Sequence, residues 1–578
     1  SSGSAGSAGI VFGGGAVAPS VTTIGADAEG LFALVSAGTG NASVRMDAGS
    51  VTTSGSNADG IVVQIDDNNA ATALNGNARA DMNGGTISTS GTASAGIVAQ
   101  TDLSGPTPST GNATARQTGG TITTTGGTLG GFQSSFGIGA LVSGSGTATV
   151  DQQAGSITTS GAEAHGLYAL SAAGDVVVNQ GVGGQVAVSG VDASGIRAVS
   201  ASGGDVDVTL DGTVDGGSGA AAGLWMDTAA GMSSRAAING SVGAASGVAI
   251  ANNGGDSDVR VTASGLVRGE VRLSDGDDRL SFAGSDLSQT TILDGGDDLL
   301  VADGFVDVLT LGSLSSTLTG ANLLGWEQVV IDNASVAFAD DLLATGSDAG
   351  MGLSVVNGGI LDARTAFALT GNLSVGAGAR FDALGAGAGA YLVSGDVSNS
   401  GTFSFDDGTA GDVLTIAGNY TGAGGTLRFD ASLGADGSPS DLLHVMGNAS
   451  GSTALFIQNV GGAGAATTQG IRVVQVDGTS TATAFSLGNA APLQAGAYVY
   501  TLAFGDPASA ADQNWYLRAA TSGGGGGGGT PIIGSIGALY EMAPSVLLTG
   551  FADLPTLEER IGHGIGWSAG SADQRGTI

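Results

Sequence analysis

The sequence predicts an all-β chain: a right-handed parallel β-helix followed by a short C-terminal helical linker segment. Three observations carry this reading. A short motif returns at intervals of 28 to 36 residues, each interval holds three brief apolar strands, and the residues that usually build solvent-facing helices are nearly missing.

The motif is plain in the first half. Gly49-Ser50-Val51-Thr52-Thr53-Ser54-Gly55 is echoed at Gly85–Gly91, Gly120–Gly126 and Gly155–Gly161, then degrades through Gly184–Gly190, Gly212-Thr213-Val214 and Gly240-Ser241-Val242. Its apolar anchors fall at 21, 51, 87, 122, 157, 186, 214 and 242. A second strand follows a turn, as in Gly60-Ile61-Val62-Val63 and Gly195-Ile196-Arg197-Ala198, and a third closes the unit, as in Asp205-Val206-Asp207-Val208. Val206, Val208 and Leu210 share one face of that last strand while Asp205, Asp207, Thr209 and Asp211 share the other, the period-2 alternation of a half-buried strand. Variable spacing on a constant pattern implies loops of different length on one core. At ~4.8 Å per stacked coil, winding residues 20–520 at 25–30 per coil gives a rod roughly 80–95 Å long.

Composition supports the reading and removes other classes. Glycine contributes 108 of 578 residues, and each glycine costs about 1 kcal/mol in a helix interior. All 16 basic residues are Arg, 44 of the 51 acids are Asp, and the net charge is −35. With 9 Pro and no three-residue glycine period the chain is not collagen, and with 42% hydrophobic residues it is too apolar for ordinary disorder. No run of about 20 apolar residues is present, so no transmembrane helix is expected. The acidity makes nucleic acid an unsuitable partner.

The expected organisation is a repeat β-helix over 1–270 and a less regular continuation over 271–411. A more aromatic strand-rich section spans 412–520, a Gly-rich tether 521–535, and a helical linker 536–578. The tether holds seven consecutive glycines, Gly523–Gly529. Pro544 and Pro555 suit first-turn helix positions, and Gly562 and His563 suit an exit. Bulkier side chains toward one end imply a firmer terminal section that also caps the open end of the helix.

The search for chemistry yields no catalytic, cofactor-binding or metal residues. His165 stands where Asp59 and Ser194 stand in other repeats and reads as an exposed loop residue; His444 lies in a strand and His563 at a helix end. Their separation matches no metal spacing. Gly566-Trp567-Ser568-Ala569-Gly570 fits a nucleophile elbow, and Gly255-Asp256-Ser257 the start of an esterase motif, but neither has the required context. Leu273–Leu280 and Leu293–Leu300 are two Asp-Gly echoes 20 residues apart; a calcium roll repeats every nine residues, so they read as turns between coils. The longest repeat insertions, Thr101–Asn112 and Leu129–Phe136, are candidate interaction surfaces.

Two C-terminal stretches carry a family resemblance. Residues 412–518, from Gly418-Asn419-Tyr420 and Gly425-Thr426-Leu427 through Asp441-Leu442-Leu443 to Trp515-Tyr516-Leu517, resemble the pertactin-like, autochaperone section of a bacterial autotransporter (type V secretion) passenger. Residues 538–563 resemble the segment leading into the autotransporter β-barrel, and repeats of the Ile-Thr-Thr-Ser-Gly type also occur in that family. The resemblance implies a secreted or surface-displayed, non-enzymatic rod at the outer membrane of a Gram-negative bacterium. It implies adhesion, aggregation or host contact, with protein or glycan ligands on host or neighbouring cells. It also implies a C-terminal section that aids folding and translocation, and the chain's own outer-membrane barrel as a partner. The chain is then expected to be a truncated piece of a longer precursor, with 536–578 ending just inside the barrel domain. The alternative is a carbohydrate-active β-helix enzyme using a pair of acids on the rod. Zero cysteine suits passage through an oxidising periplasm and a narrow pore.

Overall fold

The structure, a computed structural model, describes residues 6–36, 39–66, 75–101, 109–127 and 135–519. The tether, the linker, His563, the 566–570 motif and most of the two long insertions lie outside the described residues.

Every anchor stacks on the next. Val21 pairs with Val51, Val51 with Ile87, Ile87 with Ile122, Ile122 with Ile157, Ile157 with Val186, Val186 with Val214 and Val214 with Val242, all in parallel register. The second and third strands of each unit stack the same way: Leu31–Ser36 on Ile61–Asp66 on Ile97–Thr101, and Ala42–Met46 on Ala78–Met82 on Ala113–Gln117. The result is a parallel β-helix with one network of 39 strands and a second sheet of nine. Among the described residues there is no α-helix; Val301–Asp303 and Gly320–Asn322 are single 3-10 turns.

Alternation fills the interior as predicted. Val206, Val208 and Leu210 are buried and Asp207 is exposed; Val267, Val271 and Leu273 are buried while Arg272 is exposed. The winding continues past residue 270 with shorter coils. Leu280, Leu309, Val329, Leu353, Leu373, Val397, Tyr420 and Ala449 form one column.

The corners of the coil stack like residue on like residue. Gly25, Gly55, Gly91, Gly126 and Gly161 form a column so close that a Cβ on Gly91 would fall inside the envelope of the Gly55 carbonyl oxygen. Only glycine permits that approach. Buried polar side chains bond along the axis. Gln152 donates to Gln117 at 3.1 Å, and Gln180 to Gln152 at 3.0 Å. The Oδ1 atoms of Asn41, Asn77 and Asn112 accept the amides of Asn77, Asn112 and Thr147 at 2.9, 2.9 and 2.8 Å. The glutamine bonds offset the cost of burying a polar group in a narrow interior, whereas the asparagine ladder runs along the exposed surface.

Candidate functional site

The rod beyond residue 280 differs from the coils before it in what fills it. Among the described residues the eight largest fully buried side chains are Trp326, Tyr420, Tyr500, Phe282, Phe381, Phe403, Phe405 and Phe429, all beyond residue 280, with the smaller Met46, Ile61 and Ile65 following them from the early coils. Most of them lie against other rings. Phe381 stacks on Phe403 at 5.1 Å between centroids and meets Tyr391 edge-on at 5.7 Å; Phe405 meets Tyr391 and Phe429 edge-on at 5.5 Å each. Such contacts contribute about 0.5–1.5 kcal/mol per pair beyond area burial. Coils of Val and Ala supply less on both counts. A gradient of packing strength therefore runs along the axis, strongest toward the C-terminal end.

That end is closed by a change of strand direction. Ile471–Val476 continues the parallel stack on Leu442–Val445, then pairs antiparallel with Trp515–Ala519. Trp515–Ala519 pairs antiparallel with Tyr498–Phe504, which pairs with Leu493–Ala495. Tyr420, Phe485, Trp515 and Phe504 form a chain of rings 5.6, 5.5 and 5.0 Å apart that links this hairpin to the coils beneath it. Trp515 also donates its indole N–H to Ser480 at 3.0 Å.

Buried carboxylates tie these coils together. Asp441 accepts the amides of Gly411 and Asp412 through Oδ1, at 2.8 and 3.0 Å, and that of Asp430 through Oδ2 at 2.6 Å. Asp412 accepts the Gly389 amide, and Asp430 accepts that of Gly408. Burial pushes Asp412 up to about 6, reinforced by Asp407 and Asp430, and Asp441 up to about 7, reinforced by Asp412. Composition reveals how many acids the chain holds but not that these face inward.

The two histidines among the described residues and the Gly-Asp-Ser motif have structural roles. His165 is not the exposed loop residue expected. It starts the strand His165–Ser171, is buried, and its Nδ1 accepts the Ser194 amide at 3.0 Å. Burial, helped by Arg197, pushes it down to about 3, so the ring is neutral. The equivalence with Asp59 and Ser194 holds: Asp59 accepts the Ala95 amide at 2.6 Å and Ser194 the Ala222 amide at 3.2 Å. The shared position is an acceptor for the next coil, not a surface. His444 lies in Leu442–Val445, 2.8 Å from Asp477. Ser257 of the Gly-Asp-Ser motif is buried and donates its hydroxyl to Asp278 at 2.5 Å.

One pocket of about 340 Å³ opens on the early coils, lined in part by Glu29, Phe32, Asp59, Gln64, Gln100 and Phe136. Glu29 there accepts the Asp59 amide at 2.5 Å. Burial raises both acids, Asp59 to about 8 with Glu29 adding to the effect.

Residues 395–502 match the family model of the type 1 autochaperone domain. The chain is similar to the adhesin BmaC autotransporter of Brucella suis, 34% identical over 206 residues, which is 34% of this chain and 6% of that protein. It is similar to the probable autotransporter YfaL of Escherichia coli K12, 32% identical over 276 residues, 45% of this chain and 20% of that protein. It is also similar to the autotransporter adhesin AIDA-I of Escherichia coli, 36% identical over 141 residues, 24% of this chain and 11% of that protein. Together these matches support an autotransporter passenger with an autochaperone section. It spans less than a quarter of the length of the curated relatives it matches. Within the passenger, the autochaperone match begins inside the aromatic column and reaches Leu502 in the closing hairpin.

Proposed function

We propose that this passenger is a non-enzymatic rod displayed at the outer membrane of a Gram-negative bacterium, acting in adhesion, aggregation or host contact. Its C-terminal section folds first and draws the rest of the chain across the membrane. One observation carries the second half: the autochaperone match coincides with the aromatic, hairpin-closed end, where large side chains are fully buried. A section that is stable alone offers each incoming coil a finished strand edge to pair with. The names of BmaC and AIDA-I support the adhesive half. The partners on this reading are protein or glycan ligands on other cells and the barrel of the same polypeptide.

The adhesive reading is tested by comparing cells that express the whole protein with cells lacking only the passenger. Equal binding to surfaces, host cells and sister cells counts against it. The folding reading is tested by limited proteolysis during denaturant unfolding: a fragment containing 395–519 should survive longest. Uniform digestion along the chain counts against it.

A second reading, a carbohydrate-active β-helix, draws support from the Glu29–Asp59 pair in the early pocket. Both acids already hold amides of the next coil, which gives them a structural role. Release of reducing ends from polysaccharides, abolished by Asp59→Asn, would favour it.

A further inference from the structure

We infer that Asp297, Asp307 and Glu327 form a binding site for a calcium ion that staples successive coils near the middle of the rod. A carboxylate oxygen from each lies within 4.8 Å of one from each of the others. Calcium takes six to eight oxygen ligands at about 2.3–2.6 Å, so oxygens this close fit around one ion.

Proximity of acids is not sufficient, and two further observations point to a ligand. Asp278, Asp307 and Glu327 each sit one residue ahead of strands that stack on one another, Arg279–Ala283, Val308–Gly312 and Gln328–Asp332. Asp278 donates its amide to Asp307 Oδ1 at 2.9 Å, and Asp307 donates its amide to Glu327 Oε2 at 2.6 Å. The backbone thus holds one oxygen of Asp307 and one of Glu327. The remaining oxygen of Asp307, Oδ2, is fully buried without a hydrogen-bond partner, and so is Oδ2 of Asp278. An ionised oxygen stripped of water and left unbonded costs several kcal/mol unless a cation or proton meets it.

The local charge has one sign. The charged groups acting on Asp307 are Asp278, Asp297 and Glu327; those acting on Asp278 are Asp256 and Asp297. Oxygen-only donors, high negative charge and an all-acid environment match a hard divalent cation, with no soft ligand to favour zinc or copper. Asp297 is half-buried at the outer edge and gives the ion a way in. It belongs to the second Asp-Gly echo, while its partners come from other coils. The arrangement is therefore unlike a nine-residue calcium roll.

The test uses the whole 578-residue chain. Thermal unfolding is followed in chelator and in increasing calcium, and terbium luminescence is excited through tryptophan, Trp326 being next to Glu327 and fully buried. Calcium should raise the midpoint by an amount that grows with the logarithm of its concentration. Terbium should bind, calcium should displace it, and Trp326→Phe should dim the signal. Asp297→Asn, at the accessible edge, should weaken binding about tenfold or more while leaving the chelator midpoint nearly unchanged. Glu327→Gln serves as a second variant if Asp307→Asn does not fold. Equal midpoints with calcium and chelator overturn the inference. So does a calcium shift of undiminished size in both Asp297→Asn and Glu327→Gln.

Discussion

The Tyr500 hydroxyl sits 2.8 Å from the Gly434 carbonyl oxygen, bridging 66 residues of chain. It is also 3.0 Å from the Ala465 carbonyl and accepts the Ala465 amide at 2.9 Å. One buried phenol thus latches the closing hairpin to the two coils beneath it. Tyr500→Phe keeps the ring and removes the latch. The expected loss is about 1–3 kcal/mol, because the Ala465 amide is left without its acceptor. Urea unfolding should show the C-terminal section melting earlier, with little change in the N-terminal coils.

The aromatic column makes a stronger prediction. Phe381 touches Phe367, Phe403, Tyr391 and Phe405. Phe381→Ala should cost about 3–5 kcal/mol and abolish the protease-resistant fragment. On the proposed folding role, it should also lower passenger display by intact cells. Val208→Ala, at a buried position in the aliphatic coils, should leave the C-terminal fragment intact.

The glycine column predicts a steric cost without any change in polarity. Gly91→Ala forces a methyl against the Gly55 carbonyl oxygen. The coil must shift, and about 1–3 kcal/mol or more should be lost. Gly15→Ala, where a Cβ meets nothing, is the control and should not lower the melting temperature.

The N-terminal coils are legible in the sequence because each repeat places its anchor directly on the one before. Val51, Ile87, Ile122 and Ile157 align by eye. The polar columns are not legible. Asp278, Asp307 and Glu327 belong to three dissimilar local sequences and meet only because coils of unequal length set them one above another. His165 misleads for a related reason. A position shared by Asp, Ser and His resembles a loop when read as a pattern. In space, all three side chains accept an amide from the neighbouring coil.

A pH dependence follows from the C-terminal acids. Asp412 and Asp441 are raised to about 6 and about 7 from an unfolded value of about 3.9. The charged groups around them are Asp407, Asp430 and one another. The folded state therefore binds more protons than the unfolded state between about pH 4 and 7. This contribution is fully present below about pH 4 and is lost as pH rises through about 6 and 7. The C-terminal section should melt at a higher temperature at about pH 5 than at about pH 8. Asp412→Asn mimics the protonated acid and should flatten that profile. A melting temperature that rises across the same interval would contradict the assignment.

Strict stacking has one more consequence. Because Thr86 lies directly over Thr121, excising residues 87–121 rejoins the chain at an equivalent point, and every later pairing keeps its register. Length is thus a count of interchangeable units, each adding ~4.8 Å to the rod. On the proposed surface role, the number of units sets how far the rod reaches without a new fold.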